Sequence, residues 1–390
     1  MPEVVIVEAV RSAVGKRKGT LTHTESPDLL ADVYAALFDR VALDPVLVGQ
    51  VLTGCVGQVG QQSGNVGRTA WLSAGLPLTV PATTIQTQCG SSQQATTLAH
   101  GLVASGLVDI AVAAGVESMS QVPLGAANND DYGVARNDRY ANHYEVTSQF
   151  EGADRIAQKW GLTRTDLEAF ALRSQQLAAS AVADGRFDSQ IVAIEAISVD
   201  EGGNRSGTVS FRRDEAPRES SLEGLAGLKT NLPDDGLHTA GTSSQIADGA
   251  SALLLTTPEA AERLGLRPRA RVVDSVLVGS DPELMLTGPI PATHTLLERT
   301  GLSVDDIDVF EVNEAFASVV LAWQREIGAS LEKVNPNGGA IGLGHPLGAT
   351  GGILLTKALN ELERTSSRYG LVTMCCGGGV GTGTIIERLD

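Results

Sequence analysis

Three short segments of the chain combine a reactive side chain with neighbouring glycines or serines. They are Q-C-G-S-S around Cys89, G-H-P-L-G-A-T-G around His345 and M-C-C-G-G-G-V-G around Cys375. Histidine titrates near neutral pH and can take a proton from a thiol, and glycines allow backbone N–H groups to approach a developing oxyanion. Two thiols and a histidine in such surroundings predict acyl-transfer chemistry.

Cys89 is the candidate nucleophile because it just precedes a predicted helix, where the helix dipole and free N–H groups favour thiolate over thiol. A lone cysteine is more often a small buried hydrophobe than a catalyst, so this prediction depends on the other two segments. His345 lies between a glycine and a proline, which exclude it from a helix interior and suit a side chain directed into a cleft. It is the candidate base for Cys89 and, at another step, a hydrogen-bond donor to an acyl oxygen.

Cys375 ends a predicted buried strand and precedes Gly377, Gly378 and Gly379, whose N–H groups can point at an anion. A second thiol suits proton exchange with a carbon acid or a thiol substrate. Cys376 is expected on the opposite side of the extended segment, since side chains alternate along a strand. We therefore assign Cys376 to packing.

The segment E-V-N-E-A-F at 311–316 is predicted to follow a strand and to open a helix. Asn313 can hold a water or polarise a carbonyl, and Glu314 can orient its neighbours at the helix start. An Asn-Glu pair is also an ordinary helix cap. The segment N-P-N-G-G-A at 335–340 predicts a tight polar turn that leads towards His345.

The composition limits the classes of partner. The 390 residues, of which 42 % are hydrophobic, allow a large core and predict a soluble globular protein of two or three domains. The net charge of −17 argues against nucleic acid and anionic membrane as partners. No apolar run reaches the roughly 18 residues of a membrane span, and the strand-like start at 4–7 indicates part of the fold and no export signal. The four cysteines do not match a disulfide framework or a zinc site, so we expect reduced thiols in the cytoplasm.

The pattern of short Val/Ala/Leu/Ile strands and Ala-rich helices predicts an α/β protein with buried sheets. Predicted strands include 108–113, 252–256 and 371–374, and predicted helices include 28–41, 92–105, 164–184, 315–326 and 349–364. Cys89 and His345 are each followed by a Gly-rich or Gly/Ser turn, a helix and a strand. This shared layout suggests two related halves with both residues at equivalent helix N-termini, although any two βα units look alike.

A polar segment with long loops, typical of a lid, a ligand-binding excursion or a solvated insertion, interrupts the first half. We predict an N-terminal half at 1–117, an inserted loop domain at 118–248, a return of the N-terminal half at 249–270 and a C-terminal half at 271–390.

At these residues the sequence resembles the thiolase family of CoA-dependent acyltransferases, and the resemblance covers essentially the whole chain. The motifs in thiolase order are N-E-A-F at 313–316, N-P-x-G-G-A-I at 335–341, G-H-P-x-G-A-T-G at 344–351 and C-x-G-G-G-x-G at 375–381. The resemblance implies two duplicated βαβαβαββ halves in a five-layered αβαβα arrangement, with an inserted loop domain that binds CoA.

The resemblance implies a nucleophile at Cys89, its activator at His345 and, at Cys375, an acid/base that acts on the α-carbon of acetyl-CoA. Asn313 with a bound water, together with His345, would form one oxyanion hole, and the backbone N–H groups of Cys89 and Gly377 the other. The implied reaction is ping-pong thiolytic cleavage of a 3-ketoacyl-CoA into acetyl-CoA and a shortened acyl-CoA, or the reverse Claisen condensation.

The resemblance also implies residues that bind the substrate or CoA: Ser244, Met285, Gln149 and Phe316. Two departures bear on the substrate. C-G-S-S-Q-Q stands where acetoacetyl-CoA-type thiolases have C-x-S-G-L, and Q-F-E-G-A-D at 149–154 replaces their M-G-x-T-A-E. Both resemble actinobacterial degradative thiolases, including those acting on sterol-derived CoA esters. We expect CoA as a co-substrate, no metal or tightly bound cofactor, and a homodimer or homotetramer.

Three other functions stay open. A condensing enzyme of the ketoacyl synthase type shares this fold, but the second thiol at Cys375 argues against it. A non-catalytic acyl-CoA-binding protein would be marked by loss of Cys89, His345 or Cys375, and all three are present. A Cys-His hydrolase is weakened by the redundant thiol and by the lack of an evident orienting partner for His345.

Overall fold

The structure, a computed structural model, describes residues 2–233 and 236–389. The strands within these ranges are β1 (Val5–Ser12), β2 (Gly15–Lys16), β3 (Gln50–Gly54), β4 (Ala82–Ile85), β5 (Ile110–Ser118), β6 (Ile191–Val192), β7 (Ile194–Val199), β8 (Arg205–Phe211), β9 (Ala247–Thr256), β10 (Ala270–Gly279), β11 (Val309–Val312), β12 (Tyr369–Cys376) and β13 (Val380–Arg388). The α-helices are α1 (Ser26–Val41), α2 (Val66–Ser73), α3 (Ser91–Ala104), α4 (Asp138–Ala141), α5 (Gln149–Lys159), α6 (Arg164–Ala183), α7 (Leu222–Ala226), α8 (Pro258–Leu264), α9 (Pro289–Thr300), α10 (Ala317–Ile327), α11 (Ala340–Leu343) and α12 (Thr350–Thr365).

The two halves of the chain pair their strands in the same order and directions. In the first half β3 is parallel to β5, which is antiparallel to β9, which is antiparallel to β1. In the second half β11 is parallel to β12, which is antiparallel to β13, which is antiparallel to β10. A short antiparallel pairing of Val5 and Ile6 with Arg271 and Ala270 joins the two sets, and β4 lies at the other edge beside β3.

The helices form three layers around these strands. Side chains of α3 and α12 share one buried cluster with strands of both halves, so these two helices lie in the middle. The helices α1 and α2 cover the outer face of the first half, and α9 and α10 cover that of the second. The predicted α/β class with a five-layered arrangement is confirmed.

The predicted helices are observed with ends shifted by at most two residues. The shift matters at α10, which begins at Ala317, so the prediction that Asn313 and Glu314 open a helix is wrong. Phe316 has an extended backbone and pairs with Ser243 as an isolated bridge, which delays the first helical turn. Asn313 and Glu314 therefore lie in the connection between β11 and α10.

The segment at 118–248 contains α4 to α7 and the β7–β8 hairpin. It is tied to β1 by a bidentate ion pair in which Arg11 donates to both carboxylate oxygens of Asp214 at 2.8 and 2.9 Å, with both residues buried. The domain boundaries stay a prediction. None of the described helices is long and apolar enough to cross a membrane.

Candidate active site

Cys89 stands in a tight turn that leads into α3. Gln88, immediately before it, has a φ of +48°, in the left-handed region that non-glycine residues rarely adopt. The Ser91 hydroxyl accepts the N–H of Thr87 at 2.9 Å and donates to the carbonyl of Gln88 at 2.6 Å. This turn holds the half-buried Cys89 at the N-terminal end of the central helix.

The helix end favours the thiolate form of Cys89, but in the free protein burial outweighs this effect. Burial raises the pKa of the Cys89 thiol to about 11, and the charge of Glu117 acts in the same direction. The backbone N–H groups of Cys89 and Gly377 hydrogen-bond to the sulfur and oppose this shift, but desolvation exceeds their effect. The thiol is therefore protonated at neutral pH and requires a base.

His345 is held in the turn between α11 and α12. Its Nδ1 lies 2.7 Å from the Thr350 hydroxyl, its Nε2 lies 3.3 Å from the amide nitrogen of Asn313, and its backbone N–H donates to the Gln245 carbonyl at 2.9 Å. Burial lowers the pKa of His345 to about 4, so the imidazole is neutral at pH 7 and able to accept a proton. Thr350 is the orienting partner for His345 that sequence analysis did not find.

The N-termini of α3 and α12 pack directly against each other. The N–H of Gly352 donates to the Ser92 hydroxyl at 2.9 Å. A Cβ at position 351 would lie 2.4 Å from the backbone nitrogen of Gln93, so only glycine allows this approach. The contact brings the Cys89 turn and the His345 turn to the same place between the two halves.

Glu117, at the end of β5, links the His345 turn to the first half. It is 1 % exposed, and its carboxylate accepts four hydrogen bonds of 2.8–2.9 Å, from the side chain of Gln62 and the backbone N–H groups of Val56, Gly57 and Gly348. Burial raises the pKa of Glu117 and these hydrogen bonds oppose the increase. Sequence analysis missed this residue, although a carboxylate directly after an apolar strand is a usable signal.

Asn313 follows β11, and hydrogen bonds from the Asn335 side chain hold the residues before and after it, Val312 and Glu314. The side chain of Asn335 bonds to both the N–H and the carbonyl of Val312, at 2.8 and 2.9 Å, and also donates to Glu314 at 2.8 Å. The Asn313 Oδ1 atom is buried and has no partner among the described groups, so it can accept a hydrogen bond from a water or a substrate. The N-P-N-G-G-A turn thus positions Asn313.

Cys375 is fully buried at the end of β12, and Gly377, Gly378 and Gly379 form the turn into β13. Gly379 has a φ of +76°, and a Cβ there would lie 2.6 Å from the carbonyl oxygen of Ser280. Burial, with a further contribution from the charge of Cys89, raises the pKa of Cys375 well above that of a free thiol. Cys375 is therefore a protonated thiol close to Cys89 and able to act as an acid.

Cys376 lies on the other side of β12. The N–H of Gly90 hydrogen-bonds to its sulfur, and a Cβ at position 90 would lie 2.6 Å from that sulfur. Burial raises the pKa of Cys376. Its contacts are those of a packed side chain beneath the Cys89 turn.

Of the four predicted binding residues, two share a buried cluster with Cys375 and two do not belong to it. Met285 and Phe316 share one buried cluster with Cys375, and the Ser244 N–H donates to the Ala315 carbonyl at 2.9 Å. Gln149 is half-buried at the start of α5. Its neighbour Phe150 packs edge to face on Phe316 with the ring centroids 5.7 Å apart.

A buried pair beside Phe316 escaped sequence analysis. The Nδ1 of His238 lies 2.6 Å from Asp154, which also accepts the backbone N–H groups of Leu237 and His238 at 3.0 and 3.1 Å. Burial raises the pKa of Asp154, but these contacts outweigh it and hold the pKa below its usual value. The His238 ring packs edge to face on Phe316 at 5.4 Å and so supports one wall of the cluster.

A protonated thiol with N–H donors at its sulfur, a neutral imidazole and a second buried thiol define an acyltransferase that works on thioesters through a cysteine. Comparison with known proteins agrees. Residues 4–259 match the family "Thiolase, N-terminal domain" and residues 266–388 match "Thiolase, C-terminal domain". The chain belongs to the thiolase family.

Individual relatives align over nearly their full length. The chain is 48 % identical to the steroid 3-ketoacyl-CoA thiolase FadA6 of Mycobacterium tuberculosis, over 100 % of this chain and 95 % of that protein. It is 41 % identical to a beta-ketoadipyl-CoA thiolase of Pseudomonas putida, over 100 % of both chains. The crystal structure of the Bacillus anthracis acetyl-CoA acetyltransferase superposes with a TM-score of 0.91 at 37 % identity, over 100 % of this chain and 99 % of that one. These similarities support the resemblance to degradative thiolases and do not favour the three alternative functions.

Proposed function

We propose that the protein cleaves a 3-ketoacyl-CoA with CoA into acetyl-CoA and a shortened acyl-CoA, through an acyl-Cys89 intermediate. The observation that carries the proposal is the arrangement around one sulfur. A Cβ at position 377 would lie 3.5 Å from the side chain of Gln88, so the turn after Cys375 lies against the turn that holds Cys89, and the backbone N–H groups of Cys89 and Gly377 lower the pKa of the Cys89 thiol against the effect of burial. A nucleophile, an oxyanion site and a proton donor for carbon are thus within one small volume.

In the first half-reaction the proton of Cys89 moves to Nε2 of His345, and the thiolate adds to the 3-keto carbon. The backbone N–H groups of Cys89 and Gly377 are positioned to stabilise one oxyanion. Asn313, whose Oδ1 has no partner among the described groups, can hold a water that stabilises a second oxyanion together with His345. The carbon–carbon bond then breaks, and Cys375 gives its proton to the carbon of the departing acetyl-CoA.

In the second half-reaction the sulfur of CoA attacks acyl-Cys89. The proton of the CoA thiol restores Cys375, and the proton held by His345 returns to the sulfur of Cys89. Protons and electron pairs balance over the cycle, so the chain needs no metal or redox group for this chemistry.

We propose that CoA binds to the inserted segment, with Ser244 near the pantetheine. In a protein of net charge −17, phosphate groups need a local source of positive charge. The exposed Arg213 and Arg218 line a groove of about 520 Å³ beside α6, together with Glu219 and with Asp214, whose charge is paired with Arg11. Gln245 joins this segment to the site by donating to the Ala216 carbonyl at 3.1 Å. Arg218→Ala should raise KM for CoA with little change in kcat, whereas an unchanged KM would exclude this groove.

We propose a bulky acyl group, of the sterol-derived class, as the substrate. The support is the Q-F-E-G-A-D segment in α5, the partly exposed Phe150 against Phe316, and the 48 % identity to a thiolase named for steroid substrates. Gln149, Met285 and Phe316 would line the acyl pocket.

The experiment is CoA-dependent cleavage of a panel of 3-ketoacyl-CoA esters, from acetoacetyl-CoA through long chains to sterol-derived esters, with acetyl-CoA release as the readout. Cleavage that is fastest for the ring-containing esters supports both proposals. Cleavage confined to acetoacetyl-CoA contradicts the substrate class alone. No cleavage of any ester, with Cys89 unlabelled by acyl-CoA in a mass spectrum, contradicts the catalytic role.

We also propose a homodimer or homotetramer in the cytoplasm. The half-exposed edge strand β4 offers unpaired backbone groups to a second copy, and Cys55, Cys89, Cys375 and Cys376 are all free thiols, as in reducing compartments. Light scattering on the purified protein tests the assembly, and a monomeric mass would contradict it.

A further inference from the structure

The two ring nitrogens of His345 have different neighbours, and the difference decides which nitrogen can act as the base. Nδ1 lies 2.7 Å from the hydroxyl of Thr350, and Nε2 lies 3.3 Å from the amide nitrogen of Asn313. All three side chains are at most 3 % exposed, so water does not replace either contact. A neutral imidazole carries one proton, and only the unprotonated nitrogen can accept another.

The Thr350 side determines the position of that proton. Thr350 is the first residue of α12, and its hydroxyl donates to the carbonyl oxygen of Pro346 at 2.8 Å. A hydroxyl has a single proton, so towards His345 the Thr350 oxygen can only accept. With the hydroxyl proton on the Pro346 carbonyl, this geometry assigns the proton of the neutral ring to Nδ1.

The Asn313 side is consistent with this assignment but does not decide it alone. With its amide nitrogen towards Nε2, Asn313 donates to the unprotonated nitrogen, and its Oδ1 is the buried oxygen without a partner among the described groups. A flipped amide would require a proton on Nε2. A bond from the Thr350 hydroxyl to the Pro346 carbonyl favours the unflipped arrangement.

We propose that Thr350 is a positioning residue that acts through His345, holding the imidazole as the Nδ1–H tautomer so that Nε2 takes the proton of Cys89. This inference rests on the proposed function. In the step, the Asn313 amide releases the lone pair of Nε2, the S–H bond of Cys89 breaks, its electron pair stays on sulfur, and the proton bonds to Nε2. The imidazolium keeps its Nδ1–H donated to Thr350, which stabilises the charged form relative to an unpartnered ring.

The test compares three variants. Thr350→Val removes the hydroxyl and keeps the shape, and Thr350→Ser keeps the hydroxyl. Thr356→Val is the matched control, because Thr356 is a buried residue of the same helix whose hydroxyl makes the same kind of bond, to the Gly352 carbonyl at 2.7 Å. The readouts are the rate of Cys89 acylation by acetyl-CoA and the ¹⁵N chemical shifts of the His345 ring, assigned by the signal lost in His345→Ala.

We expect the wild type, Thr350→Ser and Thr356→Val to show a protonated Nδ1 and an unprotonated Nε2. In Thr350→Val the tautomers should mix, and acylation should slow by about 10- to 100-fold, the loss of one hydrogen bond to a group that becomes charged. The two controls should stay within about threefold of the wild type, since they keep the Thr350 hydroxyl.

A wild-type spectrum with the proton on Nε2 would overturn the inference, even if Thr350→Val failed to fold. So would a folded Thr350→Val protein with an unchanged tautomer and acylation rate, or an equal loss of rate in Thr356→Val. A wild type that acetyl-CoA does not acylate would contradict the proposed function instead, and the tautomer measurement would still be interpretable.

Discussion

The two helix N-termini that meet in the site hold their reactive side chains in opposite ways. At α12, both ring nitrogens of His345 are engaged by side chains, Thr350 on one side and Asn313 on the other. At α3, the groups among the described residues that stabilise the thiolate form of Cys89 are the backbone N–H groups of Cys89 and Gly377. The proposed base is thus fixed in orientation, whereas the proposed nucleophile lies among backbone N–H groups that can stabilise both a thiolate and the oxyanion of its thioester.

Burial shifts the pKa values of Cys89 and His345 in opposite directions. Burial raises the pKa of Cys89 to about 11 and lowers that of His345 to about 4, so both groups are neutral at rest. Charge separation then occurs only when substrate is present to use it. This comparison explains why the site needs a preformed oxyanion pocket, because buried groups have little bulk water to stabilise the charges.

The largest expected effect is at the nucleophile. Cys89→Ser should lower thiolysis by on the order of 10⁴-fold or more, because the hydroxyl is a far weaker nucleophile than the thiolate. Loss of the acetyl adduct in a mass spectrum after incubation with acetyl-CoA checks it, with circular dichroism as the control for folding. An acylated, active variant would show that another residue carries the acyl group.

Replacement of the second thiol should separate the two half-reactions. Cys375→Ala should leave acylation of Cys89 by acetyl-CoA partly intact but slow Claisen condensation by about 10²- to 10⁴-fold, since no acid or base remains for the α-carbon. The ratio of acylation rate to condensation rate is the measurement. Full condensation activity in this variant would contradict the assigned role.

A smaller effect is expected at Glu117, the residue of the first half that accepts a hydrogen bond from Gly348 in the His345 turn. All four partners of Glu117 are N–H donors, so Glu117→Gln brings its own amide N–H against them. We expect a loss of about 1–3 kcal/mol in the free energy of unfolding, together with slower acylation of Cys89. Urea denaturation and acylation rates check this, with Glu332→Gln at an exposed position as the control. Equal behaviour of the two variants would show that the His345 turn does not depend on Glu117.

The smallest effect should follow from Cys376→Ala. The side chain packs against Gly90 and is directed away from the Cys375 cluster, so acylation and condensation rates should stay within about threefold while stability falls by about 1 kcal/mol. Rate measurements and thermal unfolding check both parts. A loss of condensation comparable to that of Cys375→Ala would remove the distinction between the two neighbouring thiols.

Much of the fold was predictable because it is encoded locally. The periodicity of apolar residues indicated α3, α12 and the strand that ends at Cys375, and the observed ends differ by at most two residues. At α10, whose start is also shifted by two residues, a long-range pairing of Phe316 with Ser243 places the helix start after Asn313 and Glu314. Local patterns carry no information about such a pairing.

The residues that position the site were harder to predict than those that react. Glu117 accepts a hydrogen bond from the N–H of Gly348, 231 residues away in the chain. Asp154 is hydrogen-bonded to the ring of His238, 84 residues away. Glu117 belongs to no recognisable motif, and Asp154 ends the Q-F-E-G-A-D segment without a local sign of its partner, so each acquires its role only from the partner that the fold brings to it.

The sequence by itself determined the chemical groups and their order: two thiols, an imidazole and an amide, each set among glycines or polar turns, in the pattern of a thiolase. The tertiary structure alone decided their ionisation and orientation. The helix start favours a thiolate at Cys89, yet the packing of α3 against strands of both halves desolvates the sulfur and leaves a thiol. Desolvation depends on every segment that surrounds a group, and these segments come from both halves of the chain.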